Sequence, residues 1–342
     1  MSRRLIRHAS RESPREIDES LRLMKPGGLE EAIGGIWRPS RRELLAAGIG
    51  AGASLALSGG SLCAQEASLI HRNIPSTGEL LPVIGIGTAR RYEAVTTEAD
   101  RAPLRSVLRQ FPALGGRVVD TAPSYGTAET VIGDLVTELA IRKALFLATK
   151  LGAHGREAGI AQLEQSFRHL RTPMIDLIAV HNLQDTTTQL DTLRQWKQAG
   201  RIRYVGITTS FERQYPDFEQ TMRTEALDFI QVDYALDHRQ ADQRILPLAA
   251  DRGMAVMINL PFGRGRLFTA VQGQPLPPWA GEFDCVSWAQ FFLKYIVAHP
   301  AVTCAVPGTA KADYLVDNLG AARGRLPDAA MRRRMERFID GL

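Results

Sequence analysis

Eight times between residues 83 and 323, the sequence alternates a short apolar run with a longer amphipathic stretch, and few folds accommodate that rhythm. The short runs fall near 83–87, 117–120, 145–149, 176–181, 203–207, 228–232, 255–259 and 302–306. Helix-like stretches follow near 94–113, 127–142, 157–171, 186–200, 213–224, 240–253, 285–299 and 313–323. In the third of these, Ile160, Leu163, Phe167 and Leu170 recur three or four residues apart; in the fourth, Leu190, Leu193 and Trp196 do so before Gly200 stops the helix. Apolar strands separated by helices call for a parallel sheet covered on both faces. Eight such units predict an α/β fold, the (β/α)8 barrel. A hairpin precedes it, because Arg72 to Pro82 reads as two short strands about the turn Ser76-Thr77-Gly78. The rival, a doubly wound sheet, wants a glycine-rich phosphate loop after its first strand. The run Gly85-Ile86-Gly87-Thr88-Ala89-Arg90 places Arg90 where the third glycine belongs.

The chain divides into a leader (1–37), a signal-like segment (38–66) and the barrel (72–342). The first segment is polar, mixed in charge and without long apolar periodicity, so it reads as disordered or as an over-extended start ahead of Met24. In the second, Arg41-Arg42 precedes Leu44 to Leu62, an apolar stretch rich in alanine, glycine and serine and free of charge until Glu66. An arginine pair followed by a modestly apolar segment is the layout of a twin-arginine export signal. Five glycines in that stretch (48, 50, 52, 59 and 60) argue against a stable spanning helix. The expectation is an exported or periplasmic protein that engages the twin-arginine machinery, anchored to the membrane only if the segment stays uncleaved.

The net charge of +5 does not point to nucleic acid, because +3 of it lies in residues 1–64 and no basic run with interleaved aromatics occurs in the barrel. Three cysteines are too few for a disulfide framework, and no CxxC or HExxH spacing suggests a metal. Cys285 and Cys304 read as small buried groups in a helix and a strand.

Chemistry enters at the strand ends. The second run stops at Asp120, followed by Thr-Ala-Pro-Ser-Tyr125-Gly126; the third stops at Lys150 and the fourth at His181. In a parallel barrel these ends converge on one face, from which catalytic groups are drawn. Taken singly, each has a plain reading: a loop cap, a surface lysine, a structural histidine and a packing aromatic. Recurrence at one level of the barrel makes the set informative. A carbonyl that receives hydride needs a proton donor and positive surroundings. A lysine beside a phenol favours phenolate and lowers its pKa, an aspartate keeps the lysine charged, and a histidine orients the carbonyl or relays a proton near neutrality. No side chain carries hydride, so a nicotinamide is required. Glycoside hydrolysis would need two positioned carboxylates, whereas Asp120 has a lysine partner.

From about Arg72 to Gly324 the chain resembles the aldo-keto reductase superfamily, through IPSTGELLPVIGIGT (74–88), DTAPSYG (120–126), LFLATK (145–150), DLIAVHN (176–182), GRIRYVGIT (200–208), DFIQVDY (228–234) and PGTAKADYLVDNLGA (307–321). The resemblance implies Tyr125 as general acid/base with Asp120, Lys150 and His181 as partners. It implies an extended NADP(H), preferred over NAD(H), with Thr88 among the cofactor-binding residues and Thr208 and Gln231 at the nicotinamide end. Pro261, Phe262 and Gly263 would run along the pyrophosphate, and Thr309, Lys311 and Asn318 would hold the adenosine phosphate. The substrate would be a small carbonyl compound or alcohol; a non-catalytic, nucleotide-sensing barrel is the alternative. The chain departs from the family pattern at several positions. Thr208-Thr209 stands for a Ser-Asn pair, Asn259 and Tyr314 replace a stacking aromatic and an arginine, and Ala89 and Asn182 replace pocket aromatics.

Overall fold

The computed structural model of the protein describes residues 68–342, so the leader and signal-like segments read from the sequence lie outside the described residues. Strands β1 (His71–Asn73) and β2 (Leu80–Pro82) pair antiparallel, with Asn73 opposite Leu80 across the expected turn. Eight further strands form one parallel sheet in chain order: β3 (Ile86–Gly87), β4 (Val118–Asp120), β5 (Phe146–Leu151), β6 (Ile175–His181), β7 (Ile202–Thr209), β8 (Phe229–Asp233), β9 (Ala255–Asn259) and β10 (Cys304–Ala305). The sheet closes on itself. Ile84 bridges Ala305 and Gly87 bridges Gly308, both in parallel, and the Gly85 amide donates to the Ala305 carbonyl at 2.8 Å. Closure explains why the first and last strands are shorter than the sequence predicts: they meet through single bridges rather than a continuous ladder. It also explains Gly87, since a Cβ there would lie 2.5 Å from the Val306 carbonyl oxygen. The glycines after the hairpin serve strand approach, not a phosphate loop.

Helices α1 (Glu98–Ala113), α2 (Ala128–Glu138), α3 (Arg156–His169), α4 (Thr186–Gln198), α5 (Tyr215–Thr224) and α6 (Ala241–Asp251) alternate with the strands, followed by α7 (Arg266–Ala270), α8 (Trp288–Val297) and α9 (Ala312–Gly320). A last helix, α10 (Ala329–Asp340), completes the chain. The sequence periodicity predicts neither α7 nor α10. The charged α10 buries only Met335 and Ile339, and Arg332 ties it down by donating to the Tyr234 hydroxyl at 2.6 Å and the Tyr295 carbonyl at 3.2 Å. Cys285 lies ahead of α8 rather than within it; it and Cys304 are buried free thiols. Among the described residues no helix is long and apolar enough to cross a membrane.

The core has two layers, as strand alternation requires. Phe146, Ala148, Leu177, Tyr204, Phe229 and Met257 fill the barrel with neighbours from the other strands, while the intervening Leu147, Ile178, Val205, Ile230, Val256 and their like pack in the outer cluster with the helices. Ile74 and Leu81 join the inner cluster, so the hairpin plugs the end at which the strands begin. Glu79 fastens that plug by accepting hydrogen bonds from Arg117, Arg203 and the Tyr204 hydroxyl. With one end stoppered, the opposite end is left for chemistry.

Candidate active site

The alternation that fills the barrel also selects the groups at its open end. Two residues beyond inward-facing Val118 comes Asp120; beyond Ala148, Lys150; beyond Ala179, His181; beyond Met257, Asn259. A cleft of ≈ 470 Å³ lies over these strand ends, and its wall includes Asp120, Tyr125, Lys150 and His181 together. Lys150 is 2% exposed. Its Nζ donates to Asp120 Oδ1 at 2.8 Å and Oδ2 at 2.9 Å, and to the Thr121 carbonyl at 2.8 Å. The same nitrogen lies 5.2 Å from the centre of the Tyr125 ring. The ring of His181 meets that of Tyr125 edge-on, with centroids 6.2 Å apart.

Tyr125 comes from the β4–α2 loop, and two neighbouring residues fix that loop. The Thr127 hydroxyl donates to the Tyr92 carbonyl at 2.8 Å, and the Thr127 amide donates to the Glu93 carbonyl at 3.0 Å. That close approach, at φ +50°, requires Gly126: a Cβ there would sit 2.2 Å from the Glu93 carbonyl oxygen.

Electrostatics correct two expectations. Burial raises the Tyr125 phenol above its ordinary value of 10.0, and the opposing charge of Lys150 does not cancel that effect. The lysine therefore offsets desolvation rather than driving net acidification, and Tyr125 carries its proton at neutral pH. His181 is pushed down to about 4, first by burial and then by the charge of Lys150. It is a neutral imidazole at neutral pH, not a group that titrates near neutrality. Burial would lower Lys150 too, but the charges of Asp120 and Tyr125 raise it above 10.5, so it remains an ammonium.

Residues 83–336 match the Aldo/keto reductase family. The chain belongs to that family. It is 27% identical over 212 residues to the aldo-keto reductase YhdN of Bacillus subtilis, covering 58% of this chain and 63% of that one. The methylglyoxal reductase YeaE of Escherichia coli is 27% identical over 263 residues, covering 73% and 89%. Among solved structures, an aldo/keto reductase from Klebsiella pneumoniae in complex with NADP and acetate superposes with a TM-score of 0.67 at 24% identity, covering 80% of this chain and 95% of that one.

The positions that the family resemblance assigns to a cofactor divide into three groups in this reductase. Thr88, Thr208, Pro261 and Phe262 line the cleft. Gln231 and Gly263 are not among the residues of its wall. The Gln231 side chain is 3% exposed and its Nε2 has no hydrogen-bond partner. Gly263 has φ +56°, and a Cβ there would meet Asp237 Oδ2 at 2.7 Å and Arg266 Nη2 at 2.9 Å, the pair that pins the β9–α7 segment. Thr309 and Lys311, on the β10–α9 turn, and Asn318, within α9, are not part of the cleft wall. Asn318 Nδ2 donates to Thr309 Oγ1 at 3.1 Å, so these two buried residues brace the turn, while exposed Lys311 lies 5.4 Å from the Tyr314 ring centre. An unpartnered buried amide on β8 suits a nicotinamide dinucleotide, whose carboxamide oxygen would accept its proton.

The cleft wall also includes Arg90, Arg91 and Arg264, to which the sequence reading gave no part in the site. The first two lie three and four residues beyond the end of β3. Phe268, 40% exposed on α7, faces the cleft beside Phe262 with ring centroids 4.9 Å apart.

Proposed function

We propose that the chain is an NAD(P)H-dependent reductase of aldehydes or ketones, also able to run in reverse, with NADP(H) the preferred cofactor. The observation that carries this reading is the buried Lys150–Asp120 pair beneath the half-buried Tyr125 in one cleft. The Klebsiella relative with NADP supports the cofactor, as does the exposed ammonium of Lys311. Thr88, Thr208, Gln231, Pro261 and Phe262 would hold the dinucleotide, which supplies hydride when bound.

The chain's own groups manage the proton. The Tyr125 hydroxyl gives its proton to the carbonyl oxygen as negative charge builds there. The phenolate left behind faces Lys150, kept charged by Asp120, and the open cleft lets solvent restore the proton. Neutral His181 donates a ring N–H to the substrate oxygen and fixes its direction. Ala89 and Asn182 in the wall leave room for a polar substituent beside the reacting carbon.

Tyr125→Phe tests the assignment. Oxidation of NADPH by an aldehyde panel, followed at 340 nm, is expected to fall by roughly 10²- to 10⁴-fold, with NADPH affinity within about twofold of wild type by the hydroxyl argument. Turnover that survives the substitution would overturn Tyr125 as the proton donor, whereas a wild type that binds NADPH and reduces nothing would favour a nucleotide-sensing barrel.

The arginine pair Arg41-Arg42 ahead of an apolar, glycine-rich segment supports export through the twin-arginine route, with the dinucleotide bound before transport and recycled by two substrates in turn. Replacing both arginines by lysine is expected to leave the protein in the cytoplasmic fraction. Equal export of the variant would refute the assignment.

A further inference from the structure

Thr209 follows the cleft-lining Thr208, yet its own side chain is fully buried and points elsewhere. Its hydroxyl donates to Gln214 Oε1 at 2.6 Å. Gln214 in turn donates to the Asn182 carbonyl at 2.9 Å, tying the loops after β6 and β7 together. Thr209 therefore has no hydroxyl to offer a ligand. Its carbonyl instead accepts a long hydrogen bond, 3.5 Å, from Asn259 Nδ2 on β9. With its nitrogen turned that way, Asn259, a cleft-lining residue, is left with a buried Oδ1 that has no partner. On β8 between them, Gln231 carries the opposite deficit, a buried Nε2 donor without a partner.

These two orphans are complementary. Gln231 is in register with Met257, and Asn259 stands two residues farther along β9. The offset is about 4.8 Å across the strands and about 6.6 Å along them, on the scale of one carboxamide with a hydrogen bond at each end. A primary carboxamide offers an acceptor oxygen and a donor nitrogen, the pattern that the pair lacks.

We propose that Asn259 is a positioning and specificity residue for the pyridine ring: its Oδ1 accepts a proton from the carboxamide NH2 while Gln231 Nε2 donates to the carboxamide oxygen. The inference rests on the dinucleotide-binding reading above. Gripping both ends of the amide fixes which face of the ring meets the substrate. It also rejects the nicotinic acid form, whose carboxylate has no proton for Asn259 Oδ1 and sets a negative oxygen against it.

Binding tests this on the full purified chain, by titrating tryptophan fluorescence with NADP+ and with its nicotinic acid counterpart. Wild type is expected to favour the amide by about tenfold or more, as loss of a hydrogen bond to a buried acceptor implies. Asn259→Ala should weaken NADP+ and leave the acid analogue unchanged or tighter, collapsing the preference to about twofold by the same argument. Asn259→Asp, nearly isosteric, should widen it, since two carboxylates would then face each other. Equal weakening of both ligands by Asn259→Ala would mark a merely structural role and overturn the inference, as would a wild type without preference. If Asn259→Ala does not fold, the wild-type preference and Asn259→Asp decide. A wild type that binds neither dinucleotide overturns the parent reading as well; one that binds NADP+ and reduces aldehydes, with a preference untouched at position 259, overturns this inference alone.

Discussion

Lys150 Nζ meets both carboxylate oxygens of Asp120, at 2.8 and 2.9 Å, in a site that leaves the lysine 2% and the aspartate 5% exposed. Such a pair is poor stabilisation relative to apolar residues of the same volume, but breaking it strands a charge in the core. Lys150→Met should therefore cost about 3–5 kcal/mol in urea unfolding as well as turnover. The double variant Asp120→Asn/Lys150→Met should regain part of the stability and none of the activity. A double variant no more stable than Lys150→Met would show that the two groups are not energetically paired.

The titration of the free enzyme follows from burial. kcat/KM reports groups in the free enzyme. His181, held down to about 4, stays neutral throughout pH 5.5–8, so its protonation should produce no step in that window. Tyr125, raised above 10.0, should place the basic limb of reduction above the ordinary phenol value. The stability sign is separate. Since the folded histidine binds a proton less readily than the unfolded one, its contribution is fully present above about 6.5 and is lost as pH falls through about 4. A His181→Gln variant, lacking that titration, should flatten the acid side of a melting profile. An acid side as steep as that of wild type would contradict the assignment.

Much of this architecture was legible because periodicity and strand-end chemistry are local. The runs ending at Asp120, Lys150 and His181 needed only the rule that inward positions alternate, and the hairpin needed only its turn. What escaped depended on distant contacts. α10 looks like a polar tail until Arg332 is seen reaching Tyr234 and Tyr295. The direction of the Tyr125 shift turned on how deeply the phenol sits, which spacing does not reveal. In the sequence Asn259 reads only as a missing aromatic; its unpartnered oxygen emerges once Thr209 is seen to be occupied by Gln214.

The plugged end of the barrel should behave differently from the open one. Burial would raise the Glu79 carboxyl, but hydrogen bonds from Tyr204 and Arg203 hold it below its ordinary value of 4.5. Its stabilisation is present above that value and is lost as pH falls through the lowered one. Glu79→Ala should cost about 2 kcal/mol at neutral pH, reduced somewhat because the carboxylate is partly solvated, and the difference from wild type should shrink in acid. Turnover per folded molecule should not change, since residues at this face serve stability. A large fall in kcat at full folding would contradict that division.

In the proposed reading, the preference for the phosphorylated dinucleotide rests on exposed Lys311, just ahead of α9. Thr309 and Asn318 are buried against each other, and Tyr314 presents a ring, 57% exposed, beneath the Lys311 ammonium. A lysine binds phosphate as a point charge without the paired hydrogen bonds of arginine, so discrimination rests on Coulomb attraction at an exposed site. Lys311→Ala should weaken NADPH by about 5- to 10-fold, in keeping with the loss of one charge-assisted hydrogen bond, while NADH affinity stays within about twofold. Raising salt should erode the wild-type preference, because exposed charges are screened. If both dinucleotides lose affinity equally in Lys311→Ala, the ammonium is positioning the common adenosine and the 2′-phosphate is bound by other groups.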